Sequence, residues 1–406
     1  MCKDLPRGRA GSGQMKQKYD VIVVGSGPGG SITAKTCAEA GLDVLLIEKR
    51  QEIGDPVRCA EGVAKEGLIK HIQPDSRWIS AEVKGSKIIA PDGTQIKMSE
   101  EDSGDKAGYT LERKVFDRAL AQQAAMAGAQ VMVKTRATGL LRNNGCIKGI
   151  NAMYMGETYE IKADIVIGAD GVESKVGRWG GIDTSLKPMD IDTCAQFLVS
   201  NIEVGEYSKF FLGKKYTPGG YVWIFPKGPN TANIGLGILG SKCGNIRPIS
   251  LLENYMKTYL PHGKIIEIVV GGVPVSGPIK QTVTNGLILV GDAARQSDPL
   301  TGGGIINAMD AGKIAAEVCI KAKEKGDYSI RTLNEYEDRW RSTIGKQLNK
   351  SLMVKNLMIK LTDDQLNQLA HSLAEIDTSK MPLLKLLPIL FKKNPKLLWE
   401  LRTLFI

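Results

Sequence analysis

Seven cysteines in 406 residues, odd in number and widely scattered, are too few for a disulfide framework, and no CxxC pair occurs among them. That excludes a cysteine-stapled secreted fold and the cysteine spacing of an iron–sulfur cluster. Only three histidines occur. None sits in a ligand-spaced cluster, so no metal is expected. No signal-peptide pattern is present, and a reducing cytoplasmic interior is the expected location. No apolar run approaches the ~18–20 residues of a transmembrane helix, so any membrane contact is expected to be peripheral. Acids are in deficit: 44 against 54 basic residues, a net charge of +10. Such a balance suits an acidic partner, whether nucleic acid, an anionic membrane surface or an acidic redox protein. With 42% hydrophobic and 24% charged residues, the chain has the composition of a globular protein of two or three domains.

The stretch at 19–48 organises the rest. Residues 19–24 are apolar and β-branched, as a buried parallel strand requires. They run into Gly25-Ser26-Gly27-Pro28-Gly29-Gly30, which fits GxGxxG. A helix is expected over 31–40 and a second strand over 43–47, closed by Glu48. In a dinucleotide-binding turn Gly25 permits the tight bend, Gly27 lets the backbone approach a pyrophosphate, and Gly30 allows close helix–strand packing. The helix N-terminus offers free N–H groups to that pyrophosphate. A carboxylate at Glu48 suits an unphosphorylated ribose, hence FAD or NAD rather than NADP.

Beyond this unit the expected fold class is α/β: a Rossmann-type FAD-binding domain interrupted by a mostly antiparallel β-sheet substrate domain, with a helical C-terminal region. The nucleotide domain takes residues 15–75, 105–180 and 281–330. The sheet domain takes 76–104 and 181–280, where short strands alternate with Gly and Pro. A hairpin is expected with strands at 82–90 and 94–98 about the turn Pro91-Asp92-Gly93. Residues 1–14, basic and glycine-rich, read as a disordered extension, and 331–406 as helical.

Three nucleotide-domain motifs recur in order: GxGxxG with Glu48, then Gly168-Ala169-Asp170-Gly171, then Gly291-Asp292-Ala293-Ala294. The series resembles the FAD-dependent oxidoreductases of the para-hydroxybenzoate hydroxylase fold. The resemblance implies that Asp292 holds the ribityl chain of FAD. It also implies that backbone N–H groups of the loop at 298–305 meet the flavin ring, where donors at a helix N-terminus stabilise the anionic reduced form. No second GxGxxG with a following strand and acid appears, so electrons are expected from a docked carrier or a visiting nicotinamide.

Two further strings narrow the family. In Pro218-Gly219-Gly220-Tyr221-Val222-Trp223-Ile224-Phe225-Pro226, a strand places Tyr221, Trp223 and Phe225 on one face. Read by spacing alone this is a buried aromatic face. The string PxxYxWxFP resembles the signature of the geranylgeranyl reductases, where it lines the cavity for a polyprenyl chain. Arg58-Cys59-Ala60-Glu61-Gly62 resembles the cysteine loop of the same family, which runs beside the flavin. The likeness runs from Tyr19 to about Met358, nearest to the archaeal enzymes that saturate the isoprenoid chains of ether lipids. It implies flavin contacts at Gly29, Glu48, Cys59, Ala60, Gly62, Arg113, Ala137, Asp292, Gly304 and Ile305, with Gly25, Gly27 and Gly30 in the nucleotide turn. Arg113, at a helix start, can grip a phosphate bidentately.

The resemblance implies an FAD-dependent reductase of geranylgeranyl ether lipids, with Tyr221, Trp223 and Phe225 on the substrate and Cys59 near the reacting bond as proton donor or gate. The implied electron donor is ferredoxin, with a deazaflavin or NADH as alternatives; no nucleic acid partner is expected. The rival readings are a flavin monooxygenase, which shares the fold and the three motifs, and an electron relay to a membrane quinone. Residues 381–406 alternate leucines with five basic residues and hold one acid, Glu400. They are the expected contact with an anionic bilayer, as an interfacial segment would be; packing on the nucleotide domain or a subunit interface is the other reading.

Overall fold

The structure, a computed structural model, describes residues 15–99 and 108–374. The expected extension at 1–14 and the leucine-rich basic segment at 381–406 lie outside the described residues.

The first strand, Lys18–Val24, is flanked in parallel by Val44–Ile47 and by Glu157–Gly168. Its register puts Val24 opposite both Ile47 and Gly168, so the loops after all three strands open on the same edge. Gln130–Met132 extends the sheet on one side and Leu287–Leu289 on the other, both in parallel. Buried on both faces, these strands carry the near-continuous apolar runs that such a position demands. One face is covered by the helices Pro28–Glu39 and Ile305–Lys325. The other is covered by an antiparallel meander, Thr135–Asn143, Cys146–Tyr154 and the start of Glu157–Gly168. Its turns fall at Asn144-Gly145 and Met155-Gly156, where both residues have positive φ, the two-residue hairpin geometry.

The Pro28–Glu39 helix begins three residues earlier than expected. Gly27 is its N-cap and Pro28 its first residue, where the missing N–H of proline is no loss. The helix crosses Ile305–Lys325 at backbone contact. A Cβ on Gly312 would lie 2.4 Å from the Gly29 carbonyl oxygen, and the Thr33 hydroxyl donates to the carbonyls of both Gly29 and Gly312 at 2.8 and 3.1 Å.

A second, seven-stranded sheet is formed by Lys264–Pro274, Ile191–Ser200, Thr231–Leu239, Val222–Gly228, Ser208–Phe211, Gly85–Ile89 and Gln95–Ser99, in that spatial order. All its pairings are antiparallel except Ser208–Phe211 with Gly85–Ile89. One face packs on the helix Pro248–Tyr259 through Phe197, Val199, Val222, Ile224, Tyr255 and Met256. The single strand expected at 82–90 is two. Ile79–Val83 joins a three-stranded sheet with Gly62–Ala64 and Gly108–Leu111, and Gly85–Ile89 joins the large one. The break falls at Gly85, whose φ of 147° suits glycine.

Behind the nucleotide domain, Ile330–Trp340 buries Leu333, Tyr336 and Trp340 against the first sheet's helical face. A π-helical turn at Arg341–Gly345 leads into Lys346–Met358, and Asp363–Ala374 then packs Leu366, Leu369 and Leu373 against Ala90 and Ile96 of the hairpin. The C-terminal helices therefore touch both sheets.

Candidate active site

The loops at the carboxyl edge of the first sheet border a cleft of about 520 Å³, lined by Gly25, Gly27, Glu48, Ala137, Asp170, Arg113 and Asp292 among others. Gly25 has φ 106°, and a Cβ there would lie 2.3 Å from the Ala169 carbonyl oxygen; a Cβ on Gly30 would lie 2.0 Å from that of Gly25. No side chain is tolerated at either point. A Cβ on Gly27 would meet nothing within 4 Å, so at this position bare backbone faces the cleft. Glu48 accepts from the Ser26 backbone N–H at 3.3 Å, the Ser26 hydroxyl at 3.2 Å and the Arg50 N–H at 3.1 Å. Its carboxylate is thereby held at the end of the second strand.

At Arg113 and Asp292 the cleft meets a second cavity of about 630 Å³. Gly29, Gly30, Cys59, Ala60, Gly62, Gly304 and Ile305 line it together with Tyr221, Trp223 and Phe225, and a Cβ on Gly62 would lie 2.8 Å from the Phe225 ring, so the cysteine loop packs against the aromatic strand. The Arg113 guanidinium is engaged through Nε and Nη2 with Asp117 at 2.9 and 2.8 Å. The fork expected to grip a phosphate is occupied within the protein, and only its opposite edge remains for a ligand. Burial works against the Arg113 charge, yet Asp117 and the neighbouring Cys59 outweigh it and hold the group above its ordinary value.

Asp292 makes no side-chain hydrogen bond among the described residues. Burial raises its carboxyl above the ordinary range, with Arg113 opposing. A Cβ on Gly304 would lie 3.3 Å from Asp292 Oδ1, so the carboxylate lies beside the loop at 298–304. One oxygen of Asp170 is likewise buried without a partner, while the other accepts from the Val176 N–H at 2.9 Å. Buried acceptors lacking partners are rare in native proteins, and a ligand rich in hydroxyls answers them. Together with the bare turn at Gly27, the helix N-terminus behind it and the Glu48 carboxylate, they fit FAD.

The loop at 298–304 is tied down from three sides. Asp298 Oδ1 accepts from the N–H groups of Leu300 and Thr301 at 3.0 and 2.9 Å, and its other oxygen from the Ser351 hydroxyl at 2.6 Å. The Tyr221 hydroxyl donates to the Thr301 carbonyl. In the aromatic wall, ring centroids lie 5.9 Å apart for Tyr221–Trp223 and 5.4 Å for Phe210–Phe225, both edge-to-face, the favoured aromatic arrangement. A Cβ on Gly235 would lie 2.3 Å from Trp223. The string at 235–240, itself a GxGxxG, lies in an antiparallel strand and its end, where its glycines leave room for neighbouring side chains.

In the same cavity, the Cys59 thiol accepts from the Glu61 N–H at 3.2 Å. Burial pushes the thiol's pKa up, with Arg113 opposing, so the group holds its proton more firmly than an ordinary cysteine. Glu61 stands in the cysteine loop with no role legible from the sequence, and Gln196, Lys227 and Asn233 belong to none of its motifs. Glu61, at φ 73° and buried, accepts from the Arg113 N–H at 2.7 Å, Lys227 Nζ at 2.7 Å and Asn233 Nδ2 at 2.6 Å. Gln196 accepts from Trp223 Nε1 at 2.8 Å and donates to the Cys59 carbonyl at 3.2 Å. The cysteine loop is thus clamped onto the second sheet. The available signal was a polar residue inside each of two apolar runs, Gln196 within 194–199 and Asn233 within 232–239.

Two families match the chain: the geranylgeranyl reductase catalytic domain over residues 190–273 and an FAD binding domain over 18–207. Digeranylgeranylglycerophospholipid reductase 2 of Methanococcoides burtonii is 63% identical over 392 residues, 96% of this chain and 97% of that protein. The chain belongs to the geranylgeranyl reductase family. Digeranylgeranylglycerophospholipid reductase of Methanosarcina mazei is 61% identical over 395 residues, 96% and 97% of the two chains. Among solved structures, a geranylgeranyl bacteriochlorophyll reductase-like protein of Thermoplasma acidophilum superposes with a TM-score of 0.90 at 38% identity, covering 96% and 99% of the two chains. A flavin-dependent brominase, 18% identical with a TM-score of 0.71 over 89% and 94%, shares the fold alone.

Proposed function

We propose that this chain saturates the double bonds of geranylgeranyl chains on ether-linked glycerophospholipids. The observation that carries the reading is the aromatic wall of Tyr221, Trp223 and Phe225 lining one cavity together with the Cys59 loop, and that cavity meeting a cleft fitted to FAD at Arg113 and Asp292. Relatives at 63% and 61% identity bear the corresponding names.

An isolated trisubstituted alkene has no carbonyl to activate it, so rate must come from placement and from excluding water. When bound and reduced, FAD supplies the hydride. The protein's residues do the remainder. The aromatic wall lays an apolar chain against the cofactor side of the cavity, and the Glu61–Lys227–Asn233 clamp keeps Cys59 bordering the reacting bond as donor or gate. The N–H groups of the loop at 298–303 are bonded within the loop, so the donors offered here are those of the first turn of Ile305–Lys325, where negative charge is favoured.

The electron donor in this reading is ferredoxin, supported by the +10 charge; a deazaflavin and NADH are the alternatives, separated by stopped-flow reduction with each. The substrate resides in bilayers, while no helix among the described residues is long and apolar enough to cross one. Residues 381–406 are therefore the proposed contact with an anionic bilayer surface. A chain ending at Lys380 should lose salt-sensitive binding to anionic vesicles; equal binding by the shortened chain refutes that contact. The central test is anaerobic: reduce the protein with dithionite, add geranylgeranyl lipid, and follow flavin reoxidation with product mass. Absence of both refutes the function.

A further inference from the structure

One acidic group in the lipid cavity has no place in the account so far. Asp192 opens the strand Ile191–Ser200 and lines the cavity. Its Oδ1 is buried without a hydrogen-bond partner among the described residues. Its Oδ2 lies where a Cβ on Gly237 would come within 3.7 Å, so the glycine leaves that oxygen uncovered. The Gly237 N–H in turn donates to the Tyr221 carbonyl. Across the sheet Asp192 pairs with Val273, and a Cβ on Gly302 would sit 3.5 Å from Val273 and 3.9 Å from the Tyr221 hydroxyl. The carboxyl therefore stands one strand away from the loop at 298–304.

We propose that Asp192 is a catalytic residue that delivers the proton to the lipid alkene. The inference rests on the lipid-reductase reading above. In the step, reduced flavin gives a hydride to one alkene carbon and is oxidised by two electrons. The π bond opens, the Asp192 O–H bond breaks, and its proton bonds to the other carbon. The carboxylate left behind recovers a proton from solvent between turnovers.

The surroundings favour Asp192 over the other X–H groups of the cavity. Burial pushes its carboxyl up to about 6, with Lys355 opposing. Burial also raises the Cys59, Cys194 and Tyr221 groups above values already higher than a carboxyl's, so each holds its proton too firmly to compete. The charged and titratable groups around Asp192 are Lys355 from Lys346–Met358, Cys194 on its own strand with Cys243 beyond, and Tyr221. Asp190 lies two residues back and is paired with Arg295 at 3.8 Å. Lys355 is tied to the Val275 carbonyl at 2.7 Å, which leaves it beside the carboxyl as a fixed positive charge. Cys59 keeps the role of gate.

Two variants test this. Asp192→Asn should bind FAD as the wild type does, lower single-turnover lipid reduction about 10²-fold, and remove the alkaline limb of the wild-type pH profile. Lys355→Met removes a charge that favours the ionised carboxyl, so the limb should move to higher pH. Infrared titration of the flavin-free protein should show a carboxyl deprotonating near neutrality that is absent from Asp192→Asn. The proposal is overturned if Asp192→Asn keeps the wild-type rate and pH profile, or if no such carboxyl titrates. Wild-type protein that reduces no geranylgeranyl lipid brings down the functional reading, and with it the step, even where the infrared titration is seen.

Discussion

Asp292 offers two opposite effects from one carboxylate. It faces the cavity beside the loop at 298–304 with no hydrogen-bond partner among the described side chains, and burial has raised its carboxyl above the ordinary 3.8. All of its hydrogen-bonding capacity is therefore available to a ligand. A hydrogen bond to a charged acceptor contributes about 1.5–3 kcal/mol, so Asp292→Ala should weaken FAD binding roughly 10- to 150-fold. Without FAD the same group is a liability. Its folded value lies above its unfolded one, so its contribution to stability is fully present below the unfolded value and is lost as pH rises through the folded value. The flavin-free wild type therefore bears a penalty that grows as pH rises above the unfolded value. The near-isosteric Asp292→Asn should therefore make the flavin-free protein more stable by on the order of 1 kcal/mol, with a gap that opens from about pH 4 upward. FAD affinity is read by quenching of flavin fluorescence, and stability by urea unfolding of flavin-free protein across pH. Unchanged FAD affinity in Asp292→Ala refutes the ligand assignment. A less stable flavin-free Asp292→Asn at pH 7 refutes the electrostatic argument.

Lys227→Met strands the buried Glu61 carboxylate with two neutral donors. It should lower unfolding stability by about 3–5 kcal/mol, and adding Glu61→Gln should recover more than half; a loss under about 1 kcal/mol would show the clamp to be weak. Cys59→Ser keeps size and should keep FAD while slowing lipid reduction, on the order of 10²-fold if the loop's fit to the alkene is disturbed; equal turnover by variant and wild type returns Cys59 to a packing role. Gly235→Ala puts a methyl 2.3 Å from Trp223 and 2.8 Å from the Ala195 carbonyl oxygen. The ring must move and break its bond to Gln196, at about 1–3 kcal/mol, visible as a shift in tryptophan emission; an unchanged spectrum and melting point would contradict the packing.

The nucleotide-binding half was legible because its signals are local. A buried parallel strand must be apolar throughout, as Lys18–Val24 and Val44–Ile47 nearly are, and positions 25 and 30 must be glycine because Cβ atoms there would strike the backbone. Alternation at 221, 223 and 225 put three rings on one face for the same kind of reason. What packs beside those rings was not legible by pattern, since nothing in residues 58–62 states that Glu61 will meet Lys227 and Asn233, more than 160 residues away. Nor does the sequence show that Gly235 and Gly237, spaced like a nucleotide turn, serve to make room for Trp223 and to uncover Asp192. Propensity and periodicity act over a few residues and determine the elements. Long-range pairing decides which buried polar group finds a partner, and so which carboxylate, Asp292 or Asp192, is left free to act on a ligand.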